Sequence, residues 1–155
     1  MLLLSAAMKL KHASYRSAVL LVLAFLTAAA SADEDQIVGT WLSGDGDGWI
    51  EIARHVEGIT GRIAGSPNND PERSRVDDRN PDPALRDREL IGLNLFSGFK
   101  FDGDDRWTDG WIYDPNRGKT YRCIITVIDD DTLKVRGYVG VPMIGRTEIW
   151  TRKKE

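Results

Sequence analysis

Eight short runs rich in Val, Ile, Thr, Tyr, Phe and Trp fill the chain from residue 37 to residue 152, and none carries sustained helical periodicity. They cover residues 37–43, 48–54, 58–64, 90–101, 107–113, 119–128, 132–139 and 144–152. Most links between them are brief and turn-forming: Gly44-Asp45-Gly46-Asp47, Asp102-Gly103-Asp104-Asp105, Asp114-Pro115-Asn116-Arg117-Gly118 and Asp129-Asp130-Asp131. Links that short join antiparallel neighbours. A row of consecutive strands leaves two open edges, and closure into a barrel removes both. The fold expected is therefore all-β: an eight-stranded antiparallel up-and-down β-barrel, a size that closes around one small ligand or a filled core. A two-sheet sandwich shares the strand spacing, but links that read as hairpins rather than Greek-key crossovers favour the barrel.

One connection departs from this pattern. Residues 65–88 hold Asn68, Asn69, Asp70, Pro71, Pro81 and Pro83 and many charges, a long loop after the third strand. Loops of that length are usually functional or disordered, so a lid over the barrel mouth and a plain surface excursion are both open. Asp82-Pro83-Ala84-Leu85-Arg86 reads as one helical turn with proline near its start.

The N-terminus reads as an address. Lys9, Lys11 and Arg16 precede an apolar run at 18–26 and the ending Ala30-Ser31-Ala32, the order of a signal peptide over residues 1–32, with Met8 the better start. The apolar run is too short for a membrane anchor, which needs about 20 residues, so no transmembrane segment is expected. Cleavage leaves a single β-barrel domain, 33–155, in the periplasm or secreted. It carries 18 basic and 24 acidic side chains, a formal charge of −6, which argues against nucleic acid as a partner. Cys123 is the single cysteine, so no internal disulfide forms; in a strand-like run it reads as a buried structural thiol.

Chemistry-bearing constellations are few. His55 is the single histidine after residue 32 and no Gly-x-Ser-x-Gly elbow occurs, which leaves little room for a serine triad or a histidine-rich zinc site. No catalytic residue, metal or cofactor is expected. Asp45-Gly46-Asp47-Gly48 and Asp102-Gly103-Asp104 resemble fragments of calcium loops, but from Asp45 the positions that need an oxygen donor and a bidentate Glu hold Trp49 and Val56. They read as hairpin turns. Asp77, Asp78, Asn80 and Asp82 read as solvated loop charge. The tryptophans say more. Strand alternation puts Trp107, Asp109, Trp111 and Tyr113 on one face, where they either line a ligand cavity or fill the barrel. Arg136, Tyr138 and Arg146 are candidates to complete such a site, and the apolar connection Val139-Gly140-Val141-Pro142-Met143-Ile144 either rims its mouth or underlies the long loop.

Five stretches resemble one family: Asn80-Pro81-Asp82-Pro83-Ala84-Leu85-Arg86-Asp87-Arg88-Glu89-Leu90-Ile91-Gly92-Leu93, Gly110-Trp111-Ile112-Tyr113-Asp114-Pro115, Gly118-Lys119-Thr120-Tyr121, Val135-Arg136-Gly137-Tyr138-Val139-Gly140 and Gly145-Arg146-Thr147-Glu148-Ile149-Trp150-Thr151-Arg152. They look like domain of unknown function 2147 (DUF2147). That resemblance implies an exported bacterial protein with a lipocalin-like barrel and no established activity. Gly39-Thr40-Trp41 also resembles the Gly-x-Trp opening of lipocalins, in which the tryptophan packs under a basic residue of the last strand. A closed meander brings the last strand beside the first, so Arg152 is expected to cover Trp41 and close the barrel. The functional expectation is a lipocalin-like binder of a small apolar or amphipathic ligand. Alternatives are an envelope interaction or stress module with a filled barrel and an unknown partner protein, and a carboxylate-based enzyme.

Overall fold

The computed structural model describes residues 33–68 and 75–154; the expected export segment at 1–32, with its start at Met8, and loop residues 69–74 lie outside the described residues. Eight strands follow in order: β1 (Gly39–Leu42), β2 (Trp49–His55), β3 (Gly58–Gly65), β4 (Asn94–Phe101), β5 (Arg106–Asp114), β6 (Lys119–Asp129), β7 (Thr132–Tyr138) and β8 (Gly145–Arg152). Each pairs antiparallel with the next and β8 returns to β1, so the sheet closes as an up-and-down barrel. Short links leave most adjacent strands no other partner, which favours the meander over the sandwich; β3 and β4 pair across the long loop.

Two strands start later than the sequence pattern suggests. Residues Glu34–Ile37 form a 3-10 turn, begun by the Asp33 carboxylate accepting from Asp35 N at 2.9 Å, so β1 opens at Gly39. Ile37 is buried, and its carbonyl accepts from Trp41 Nε1 at 2.9 Å. Ahead of β4, Leu93 N donates to Leu90 O at 3.0 Å and Gly92 N to Ile63 O at 2.8 Å, which bends residues 90–93 into a turn. Further back, the turn expected at 82–86 is present as a 3-10 turn, Pro83–Leu85, capped by Asp82.

The two ends of the barrel differ. The start of β1, the end of β8 and the links β2–β3, β4–β5 and β6–β7 lie at one end; the links β1–β2, β3–β4, β5–β6 and β7–β8 lie at the other. At the first end the Arg152 guanidinium lies 4.0 Å from the Trp41 ring centroid. Arg152 Nη1 also donates to Val38 O at 2.9 Å, Nη2 to Gln36 O at 2.5 Å, and Nε to Asp130 O. One side chain thus ties the entering chain, the last strand and the β6–β7 turn together. Above it Ile52, Ile59, Phe99, Trp107, Ile125 and Leu133 fill the interior. Phe96 caps this packing edge-to-face on Phe99, centroids 5.4 Å apart, and meets the Trp150 ring at 6.4 Å.

Cys123 points inward on β6 opposite Gly110 and Gly137 and is fully buried. Burial pushes its thiol up to about 12, and the negative charge of Glu148 adds to the shift. The native protein should therefore leave Cys123 unmodified by an aromatic disulfide reagent at pH 8, whereas denaturant should expose one reactive thiol per chain; rapid labelling without denaturant would contradict the burial. At the closed end, Trp41→Ala should destabilise by about 3–5 kcal/mol, as for a large buried aromatic. Arg152→Met should cost about 2 kcal/mol or more through lost charged hydrogen bonds. Urea unfolding measures both, and unchanged midpoints would refute the closure.

Candidate functional site

Alternation along β5 fails at one residue. Trp107 pairs with Ile125 and the next inward pair is Gly110 with Cys123, so β5 spends three steps where β6 spends two. That is a β-bulge. Asp109 occupies it with a left-handed φ of 64°. Trp107, Gly110 and Ile112 then face inward, while Asp109 and Trp111 face out. This corrects the expected row of Trp107, Asp109, Trp111 and Tyr113. Trp111 is 39% exposed, and Asp109 lies on the outer surface 4.0 Å from Arg122. Trp107 fills the closed half beside Phe101, with Arg54 5.6 Å above its ring, and does not reach the open end. A Cβ at Gly110 would collide with the Phe99 ring. A glycine inside a strand is the sequence signal of such a bulge.

Tyr113, also on the outer face, is buried by the long loop. Its hydroxyl donates to Asp77 Oδ1 at 2.6 Å. Asp77 Oδ2 accepts from Asn80 Nδ2 at 2.7 Å and from Arg88 Nε and Nη2 at 2.9 and 2.7 Å. Backbone bonds support the arrangement: Asp77 N donates to Arg88 O at 3.0 Å and Leu90 N to Arg75 O at 2.9 Å. Asp77 is 1% exposed and Asn80 4%, which corrects the reading of both as solvated charge. The carboxylate is tolerated because a phenol, an amide and a guanidinium satisfy it. Arg86 Nε closes the turn on Asn80 O at 2.8 Å, and Arg79 Nη1 reaches Asn116 O at 2.6 Å. Where these links meet, Gly118 has φ 61°, and a Cβ there would strike the Arg79 carbonyl.

Above the Phe96–Trp150 level the barrel is open, with a cavity of about 640 Å³. Ile50, Ile63, Leu95, Ile112 and Val135 give it apolar walls, and Trp150 lies at its base. The loop borders the mouth through Arg75, Glu89, Leu90 and Ile91. Of the residues singled out from sequence, Arg146 lines the cavity from an inward position, Tyr113 and Tyr138 border it at the rim from outward positions at their strand ends, and Trp107, Asp109, Trp111 and Arg136 do not reach it. Arg136 points outward and holds the β7–β8 link, donating to Pro142 O at 2.6 Å and Thr147 Oγ1 at 2.7 Å.

Tyr121, Glu148 and Trp150 are among the lining residues that sequence reasoning missed. Alternation on β8 could have found two of them, since Arg146, Glu148 and Trp150 descend one inward face, opposite Gly137, Val135 and Leu133. Glu148 Oε1 lies 3.6 Å from Arg146 Nε, and Trp150 Nε1 donates to Glu148 Oε2 at 3.4 Å. At the rim Arg117 pairs with Asp114 at 2.6 Å. Asp45 and Asp47, also on the lining, sit in the β1–β2 turn, where Ser43 Oγ donates to Asp45 Oδ1 at 2.8 Å. Among the described residues no group of three or more His, Cys, Asp or Glu is placed to hold a metal ion.

A closed eight-stranded antiparallel barrel with one plugged end and one open, partly apolar end is the lipocalin type of fold. The chain belongs to the DUF2147 family, described as an uncharacterized protein conserved in bacteria, whose model matches residues 39–152. Among solved structures it is similar to protein HP1028 from the human pathogen Helicobacter pylori, described as belonging to the lipocalin family. The identity is 19%, the match covers 77% of this chain and 84% of that one, and the TM-score is 0.70. No curated protein matches the sequence.

The loop clasp has a spectroscopic signature. Burial, the hydrogen bond to Asp77 and the Asp77 charge together raise the Tyr113 phenol from 10.0 to about 12. Because the folded value lies above the unfolded one, this contribution to stability is complete below about pH 10 and is lost as pH climbs toward 12. Alkaline absorbance titration should show one tyrosine ionising late, absent in Tyr113→Phe and shifted to lower pH in Asp77→Asn. A single uniform transition in the parent protein would refute the clasp.

Proposed function

We propose that this is an exported protein that binds a small, partly apolar molecule in the open half of its barrel without performing chemistry on it. The observation that carries the reading is the cavity itself. Its volume of about 640 Å³ falls within the roughly 300–1,000 Å³ of small-molecule sites. It has aliphatic walls, an indole at its base and polar groups nearer the mouth, features that suit an amphipathic guest entering apolar end first. The description of the H. pylori protein as a member of the lipocalin family is consistent with this. The export assignment rests on the basic, apolar and Ala-x-Ala order before Asp33.

A second reading, an envelope interaction module, draws on the β7–β8 link. Met143 and Ile144 there are 87% and 68% exposed, and Val139 and Val141 stand beside them. Apolar side chains gathered at one rim suit a protein or lipid surface.

Fluorescence titration with lipids, quinones and aromatic metabolites tests the first reading, and Trp150 is the reporter the geometry selects. At least one class should shift the emission. Trp150→Phe should abolish that shift and Trp111→Phe should leave it intact. Native mass spectrometry of protein taken from its own envelope fraction should find a retained small molecule on a chain beginning at or near Asp33. A panel without any response, together with an empty native protein, would favour the interaction module.

A further inference from the structure

The cavity has a chemical preference written in one side chain. Glu148 lies midway down the β8 ladder, opposite Val135, one inward step above Trp150 and one below Arg146. A carboxylate offers about four lone-pair sites. The described contacts of Glu148 occupy few of them: one N–H from Trp150 at 3.4 Å, while Arg146 stands at 3.6 Å, beyond hydrogen-bond length. Acceptor capacity is therefore left on the wall of a largely apolar cavity, where a charge-assisted hydrogen bond is stronger than in water.

The charges around it favour a cation. Among the described residues, five carboxylates line the cavity against three guanidiniums. With Arg117 paired to Asp114 at 2.6 Å, four of those carboxylates remain against Arg75 and Arg146, the latter 3.6 Å from Glu148. A cleft whose walls carry an excess of one sign draws in the opposite charge, and an anionic head would meet Glu148 as a like charge.

Resting on the proposal that the cavity binds a small molecule, we infer that its guest is an amphiphile with a protonated amine, the apolar body lying on Trp150 and the ammonium donating to Glu148. Three probes share one tail and differ in the head: dodecylamine, dodecanol and dodecanoate, each titrated below its micellar concentration by calorimetry. The amine should bind about tenfold more tightly than the alcohol, the margin of one charge-assisted hydrogen bond, and dodecanoate most weakly. In Glu148→Gln, which keeps shape and removes charge, the advantage of the amine over the alcohol should vanish while affinity for the alcohol changes less than about twofold. A melting curve verifies that this variant folds; should it not, the three-probe ranking in the parent protein decides alone. Dodecanoate binding as well as the amine, or an amine advantage that survives Glu148→Gln, would overturn the inference. If dodecanol binds and the amine is no better, the cavity reading stands and the amine preference falls. If none of the three binds, both fall.

Discussion

A barrel has no edges only while its seam holds, and here the seam is short: β1 meets β8 at Trp41–Arg152 and Leu42–Thr151. So brief a ladder is reinforced by the Arg152 guanidinium, which stacks on the Trp41 indole and donates to the carbonyls of Gln36, Val38 and Asp130. The stacking alone is worth about 0.5–2 kcal/mol, and the hydrogen bonds add to it because their donor is charged. Holding the N-terminal turn across that end also drives Ile37 into the interior. The large rings pack above this plug, and the space left empty lies at the opposite end.

The open end is organised by a different kind of contact. Around Asp77 a buried carboxylate collects donors from Tyr113, Asn80 and Arg88 and fixes a loop with little apolar surface to bury. Much of the motif at residues 80–93, which carried the family resemblance, is engaged in this fixation. Asn80 and Arg88 bind Asp77, Asp82 caps the 3-10 turn, and Arg86 closes it. Only its end, Glu89 to Ile91, lines the cavity. The side chains that give the cavity its polarity come instead largely from β8 and the short turns. In this scaffold most of the residues that hold the mouth in shape are distinct from those that line the cavity.

That separation bears on the two functional readings. An apolar rim at Val139, Val141, Met143 and Ile144 stands next to the cavity, so the features behind the two proposals share one end of the barrel. A guest with an apolar body would cross that rim on its way to Trp150.

Read by itself, the chain determined its strand number, their order and the closure, because turns of a few Gly, Asp and Asn residues leave each strand only its neighbours to pair with. It likewise brought Trp41 and Arg152 together, since a closed meander must set its last strand beside its first. Which rings face the cavity was decided only in three dimensions. Alternation is a count of parity, and the one extra residue at Asp109 reversed it for Trp111 and Tyr113. The burial of Asp77 and Asn80 was equally invisible, because their partner Tyr113 lies 36 and 33 positions away in the chain. Local pattern carries the backbone's choice of neighbours; the fate of a charge depends on what the folded chain lays over it.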